Sequence, residues 1–403
     1  MQILFIAADL PWPPDGGGRI ATLRVLESMA DGRAVDLVAL ADPDGEPQLG
    51  DLRSLCRSVR YVRHPFTFGR HPIRQAATAG RSLLGPTPYR LLKFRSAALE
   101  AQVGAMKKEV RYDLIHHDQL GVARYHDQDF PSTLTTQNIE YAIYARGRSS
   151  ARGLTRRAWS AVEQRKLRRA EPSLYRRFDH VFALTAQDRD DLLTVGARAS
   201  VFPIPVDISA SPPRRAPAAP TLLTLGSMSW FGVEDGLLWF AEQVFPLIRE
   251  QVPDVVWNLV GANAGRRIRD LDDGHAIRLV GYLPDVKPMI DASRVVVVPL
   301  HIAGGVRIKL IELLASGRPA VATSIGAEGL DFEDGAGCFR RDDPVSFASA
   351  VANLLRDDQM WQDASRAGLD YARQGHSRAG ARAAVEEGIA DAIEHHARAA
   401  AIR

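Results

Sequence analysis

Residues 304–330 read GGVRIKLIELLASGRPAVATSIGAEGL and hold the densest set of groups able to bind a charged ligand. Gly304 and Gly305 precede Val306 and an apolar run with helical spacing, predicted over 306–316. Backbone N–H groups at such a helix start can approach an anion closely. Arg307 and Lys309 fall in the expected first turn, where cations oppose the helix dipole unless an anion shares the site. Glu312, further along the same helix, has the chemistry to accept hydrogen bonds from sugar hydroxyls. An ordinary helix with two solvated cations is the competing reading.

Other candidates stand at expected strand ends. His116, His117 and Asp118 close a predicted strand that begins at Leu114; His116 and Asp118 are expected to act together at a sugar. Asn138 and Glu140 follow the next strand and could orient acceptor hydroxyls, or simply cap a helix. Gly16, Gly17, Gly18 and Arg19 follow the first strand. They do not spell Gly-x-Gly-x-x-Gly, so a nicotinamide site is a poor reading. Asp-x-Asp triplets, which hold a divalent ion in many transferases, occur at Asp42–Asp44, Asp127–Asp129 and Asp188–Asp190. Turns and helix starts explain all three, and no metal is expected.

The elements that position these groups alternate. Apolar runs at 3–7, 35–40, 114–116, 132–136 and 181–184, separated by helical patterns, predict a doubly wound parallel sheet. A Pro- and Ala-rich linker at 203–220 precedes a second series at 221–225, 255–260, 277–280, 295–299 and 320–323. Helices are expected over 236–251, 344–356 and 378–398. The reading is therefore α/β with two Rossmann-like domains, 1–205 for the acceptor and 206–375 for the donor. A C-terminal helix, 376–403, is expected to pack back on the first domain.

The 403 residues are 46% hydrophobic and 25% charged, an ordinary globular composition with no apolar run long enough to cross a bilayer. The N-terminal apolar run lacks a basic flank and is read as a strand rather than a leader. Two distant cysteines give neither a disulfide framework nor a metal spacing, so a cytoplasmic location is expected. Charge is uneven. Residues 52–99 hold ten Arg or Lys and no acid, and 145–178 hold eleven against two Glu. With interleaved apolar side chains, these segments suit an anionic membrane surface, which implies a peripheral protein on the inner face of the plasma membrane. A solvated basic face and another polyanion are the alternatives, and no nucleic acid is expected.

The ordered motifs resemble the retaining GT-B glycosyltransferases, glycosyltransferase family 4, also called group 1 sugar transferases. The family's Gly-rich turn, Lys- and Glu-bearing helix, A-x-G-x-P segment and G-x-E-G-L loop correspond to Gly304-Gly305, Lys309, Glu312, Ala315 to Thr323 and Gly326 to Leu330. Gly226-Ser227 after the first strand of the second half, Val260-Gly261, the Tyr282-Leu283 loop, Gly16 to Gly18 and Gln137 to Glu140 match in order. The resemblance implies two domains facing across a cleft and transfer of a hexose-type sugar from a nucleotide-diphosphate donor to a glycan or lipid-linked acceptor in polysaccharide synthesis. It also implies retention, with neither metal nor cofactor. Donor contacts fall to Gly16, Gly17, Gly18, Arg19, Gly226, Ser227, Tyr282, Leu283, Gly304, Gly305, Val306 and Glu312; acceptor contacts fall to Asn138 and Glu140. His116, Asp118, Arg307 and Lys309 become the catalytic set. The first Glu of the family's acidic pair falls on Gly304 here. That departure leaves two alternatives: a catalytically impaired nucleotide-sugar-binding protein, or a nucleotide-sugar epimerase.

Overall fold

The computed structural model describes the chain except residues 15, 45, 66–70, 151–153, 210–214, 229–230, 303–304 and 403. It divides into two units, Met1–Ile204 with Arg378–Arg403, and Pro205–Ser377. The first is built on β1 (Gln2–Ala7), β2 (Ala34–Ala41), β3 (Ser58–Arg63), β4 (Leu114–Asp118), β5 (Ser132–Thr136), β6 (His180–Ala183) and β7 (Ala199–Val201). These pair in parallel in the order β3-β2-β1-β4-β5-β6-β7. Ile3 to Ala7 are wholly buried, as a strand covered by helices on both faces requires.

The second unit repeats the scheme with β8 (Thr221–Leu225), β9 (Val256–Val260), β10 (Ile277–Gly281), β11 (Val295–Val298), β12 (Ala320–Ala322) and β13 (Cys338–Arg340). Their order is β10-β9-β8-β11-β12-β13, again parallel. Both sheets are wound outward from a central pair, β1/β4 in one and β8/β11 in the other. In a doubly wound sheet the helices leave opposite faces at that pair, so a crevice opens beyond its carboxyl ends.

Three local results differ from the sequence reading. The helix expected from 236 starts earlier: Phe231–Trp239 runs through a π turn, Phe240–Val244, into Phe245–Gln251. Gly236 lies within it because the Pro299 carbonyl oxygen stands 1.9 Å from where a Cβ would be. The helix expected over 306–316 is Ile308–Ala315, since Arg307 has non-helical dihedrals and forms its cap. The last helix reaches Ile402 rather than 398.

Arg378–Ile402 packs within the first unit through buried Ala381, Val385, Ile389 and Ala392, whose spacing lays one apolar stripe on the β5–β7 side of the sheet. Polar ties reinforce it. His180 pairs with Asp391 at 2.8 Å, and Asp179 takes contacts from His395 at 3.0 Å and His396 at 3.3 Å. No helix among the described residues is long and apolar enough to cross a membrane. Cys56 and Cys338 are free and buried, and burial raises the Cys56 thiol to about 12.

Candidate active site

In the first unit the central pair ends at Ala7 and Asp118, neighbours in register. Asp118 is wholly buried and accepts a 2.5 Å hydrogen bond from the Thr22 hydroxyl of the Gly17–Ala30 helix. Its other oxygen, Oδ1, is buried with no hydrogen-bond partner among the described residues. Burial raises this carboxyl from 3.8 to about 7, and the Thr22 bond offsets only part of that rise. Gln137 donates to the Gly18 carbonyl at 3.1 Å and to Thr22 at 3.0 Å. Gly18, Thr22, Asp118 and Gln137 therefore form one network at the end of β4. Gly16 caps the helix without a side-chain contact, and a Cβ at Gly16 or Gly17 would meet nothing within 4 Å. The backbone there is open to a ligand. Arg19, expected among the donor contacts, pairs with Asp9 at 2.8 Å.

His116 needs correction. It is wholly buried, with Nδ1 2.8 Å from the Thr133 hydroxyl and its ring 4.6 Å from Phe5. Burial, with His117 beside it, holds it far below the ordinary value, so it is a neutral core histidine. Asp118 shares its face of the strand but sits at the strand end, so the expected joint action of the two at a sugar does not fit. Asn138 serves Thr136, whose hydroxyl donates to its carbonyl at 2.7 Å. Glu140 opens the Glu140–Ser150 helix and pairs with Arg90 at 2.9 Å; Arg90 also donates to Gln119 at 3.0 Å. Gln119 has φ 74, a strained geometry for a non-glycine residue directly after Asp118.

In the second unit, strand-end glycines meet edge to edge. Gly226 N–H donates to the Val260 carbonyl at 3.0 Å and Gly261 N–H to the Gly281 carbonyl at 2.8 Å. A Cβ on Gly261 would fall 1.7 Å from the Gly226 oxygen, so only glycine permits this approach. Ser227 follows. Beyond β10, Tyr282 is 69% exposed, a free aromatic face, while Leu283 turns into the core.

Gly304 lies outside the described residues. Gly305 has φ +77, a conformation that favours glycine, and turns the chain into the Ile308–Ala315 helix. Arg307 was expected as a cation facing the ligand, and this too is corrected. Its guanidinium is largely buried and turned inward, donating to the Gly305 carbonyl at 2.8 Å and the Ile325 carbonyl at 3.4 Å, with Glu328 at 3.8 Å. It braces the glycine turn against the loop after β12. Thr323 stitches that loop further: its hydroxyl bonds the Leu300 carbonyl and accepts from Gly326 N–H at 2.9 Å. Lys309 and Glu312 are half-buried on the helix that follows, and Val306 precedes it.

The sequence reading missed His301, after β11, whose ring meets Trp239 edge-on at 4.7 Å and lies 4.0 Å from Asp235. Its signal was a histidine between a strand end and a glycine pair. The Asp-x-Asp triplets are turns and caps: Asp42 accepts from Asp44 N–H, Asp127 from Asp129 N–H, and Asp188 N–H donates to the Thr185 cap. Asp42, Asp44 and His71 alone among the described residues cluster closely enough to share a cation, on a partly exposed surface.

Residues 219–357 match the family model described as glycosyl transferases group 1. A 44.6 kDa uncharacterized protein from the cps region of Klebsiella pneumoniae is 21% identical over 377 residues, 88% of this chain and 91% of that protein. Among solved structures, HepE of Anabaena in complex with UDP and glucose superposes with a TM-score of 0.62 at 15% identity, covering 97% of this chain and 99% of that one. Sucrose-phosphate synthase of Thermosynechococcus elongatus does so with 0.67 at 17%, covering 96% and 98%. The fold is thus that of the GT-B glycosyltransferases. Residues 219–357, within the second unit, thus match a group 1 glycosyltransferase domain.

Proposed function

We propose that the chain moves a hexose-type sugar from a nucleoside-diphosphate donor to a glycan or lipid-linked acceptor, using no metal and retaining the anomeric configuration. The observation that carries this reading is the braced glycine turn of Gly305 and Arg307, which opens a helix start bearing Lys309. Departure of a diphosphate builds negative charge on its oxygens, and fixed N–H groups with a nearby ammonium supply the stabilisation a metal would otherwise give. Glu312 has the reach for ribose hydroxyls, and the exposed Tyr282 offers a face for a base. HepE, similar in fold, was crystallised with UDP and glucose, which favours a uridine donor.

The chemistry follows front-face departure. The sugar C1–O bond to the diphosphate breaks as the acceptor hydroxyl oxygen bonds to C1, and the acceptor proton passes to the leaving phosphate oxygen. No side chain need act as nucleophile, in keeping with a buried neutral His116 and a buried Asp118. The Asn138 and Glu140 edge of the first unit is the proposed acceptor side.

Calorimetric titration with UDP, GDP, ADP and TDP in EDTA tests the donor site. One diphosphate should bind, and Lys309→Ala should weaken it by about tenfold or more. Binding that appears only with a divalent ion, or that Lys309→Ala leaves unchanged, would overturn the metal-free site.

A further inference from the structure

The helix Pro72–Leu84 is turned inside out. At about 100° per residue, Ile73, Ala77, Gly80 and Leu84 fall within about 60° of one another, and Ala76 and Leu83 widen the same stripe. In a helix laid on a core this stripe would face inward. Here it faces solvent: Ile73 is 85% exposed, Leu84 93% and Leu83 55%. A Cβ on Gly80 would meet nothing within 4 Å.

The opposite face is anchored through Ser82, which is buried. Ser82 donates to the Glu163 carboxylate at 2.6 Å, and Glu163, wholly buried on the Leu154–Tyr175 helix, also accepts from Tyr89 N–H at 2.7 Å. Lys166 closes the cluster, 3.7 Å from Glu163 and bonded to the Ser82 carbonyl. A satisfied polar network thus anchors the helix and holds its apolar stripe outward. A contiguous exposed apolar face marks a docking surface.

Its charge identifies the occupant. Arg74 and Arg81 run along one edge of the stripe, both exposed and, among the described residues, without an acidic partner. Past Pro86, the exposed Arg165 and Arg169 line a shallow depression with Val162. The two glutamates of the neighbouring helix, Glu163 and Glu171, are buried, so they do not offset these cations at the surface. An aliphatic stripe rimmed by arginine fits acyl chains below anionic headgroups. It fits a second copy poorly, since two like-charged rims would meet. RNA would find no aromatic platform on it.

We infer that Pro72–Leu84 lies in the interface of an anionic lipid bilayer, with Ile73 and Leu84 in the acyl layer and Arg74 and Arg81 at the phosphates. The inference stands independently of the donor reading.

Cosedimentation with vesicles tests it, using phosphatidylcholine alone and with about one-third phosphatidylglycerol. The full chain should pellet with the anionic vesicles and be released at about 0.5 M salt. I73S/L84S and, separately, R74E/R81E should each lower the partition coefficient by at least about tenfold with the melting temperature unchanged, because all four side chains are exposed. The inference is overturned if the wild type stays in the supernatant, pellets equally on neutral vesicles, or pellets undiminished as I73S/L84S. It is also overturned if the lipid-free wild type is a dimer that I73S/L84S converts to monomer, since a second copy then covers the stripe.

Discussion

Replacing Asp118 by Asn tests the network at the end of β4. In the folded state this carboxyl titrates at about 7, against an ordinary 3.8. Below pH 4 both states hold the proton and the group adds nothing. Between about 4 and 7 the folded state keeps a proton that the unfolded state has released, so stability falls as pH rises, and above 7 the loss is complete. About 3 units at 1.36 kcal/mol each gives about 4 kcal/mol. Asn cannot ionise, yet its carbonyl can still accept from Thr22, so D118N carries only a pH-independent offset for its amide. Urea denaturation of both proteins from pH 4 to 8 should show the wild type losing about 4 kcal/mol relative to D118N, mostly between pH 5 and 7. Curves that stay parallel within about 1 kcal/mol would refute the argument, because a carboxyl that does not change its protonation on unfolding cannot be buried and poorly partnered.

Two further substitutions probe the framework. Gly261→Ala drives a Cβ to 1.7 Å from the Gly226 oxygen, where backbone on both sides resists movement. It should destabilise the second unit by more than about 3 kcal/mol, seen as a lowered melting temperature or insoluble protein; an unchanged melt would mean that β8 and β9 end further apart. Asp391→Ala removes the acceptor shared by His180 and Arg198. Amide exchange across 378–402 should speed up by roughly tenfold, about 1–2 kcal/mol, and unchanged protection would assign the hold on that helix to its apolar stripe alone.

The sheets were legible because buried parallel strands are unbroken apolar runs, and residues 3–7 and 295–298 read as nothing else. Helix starts were less so. Gly236 looks like a boundary in sequence, but it is small for the sake of the Pro299 carbonyl, which lies more than sixty residues downstream. The candidate site was legible by position and not by orientation. Strand-end placement puts Asp118 at the end of β4, as the structure has it, but its partner Thr22 lies 96 residues away. The same rule misjudged His116, because a side chain one turn of the pleat earlier points at Phe5 within the core. Arg307 reads as a ligand cation until the Gly305 and Ile325 carbonyls are seen to claim it. The helix at 72–84 shows amphipathic spacing in sequence, but which face turns outward depends on Glu163, 81 residues beyond Ser82.

The return of Arg378–Ile402 to the first unit has a consequence for synthesis. A ribosome releases residues 1–204 well before this helix exists, so the first unit waits while the whole second unit emerges. Gly388 marks what it waits for: a Cβ there would come within 2.3 Å of the Phe182 ring, so the strand surface carrying His180 and Phe182 is shaped for a segment translated after the whole second unit. The second unit, contiguous in sequence, can close on itself first. In the nascent protein the first unit is therefore completed only after the second has emerged, and a stop codon just before residue 378 would damage the half of the molecule that was translated first.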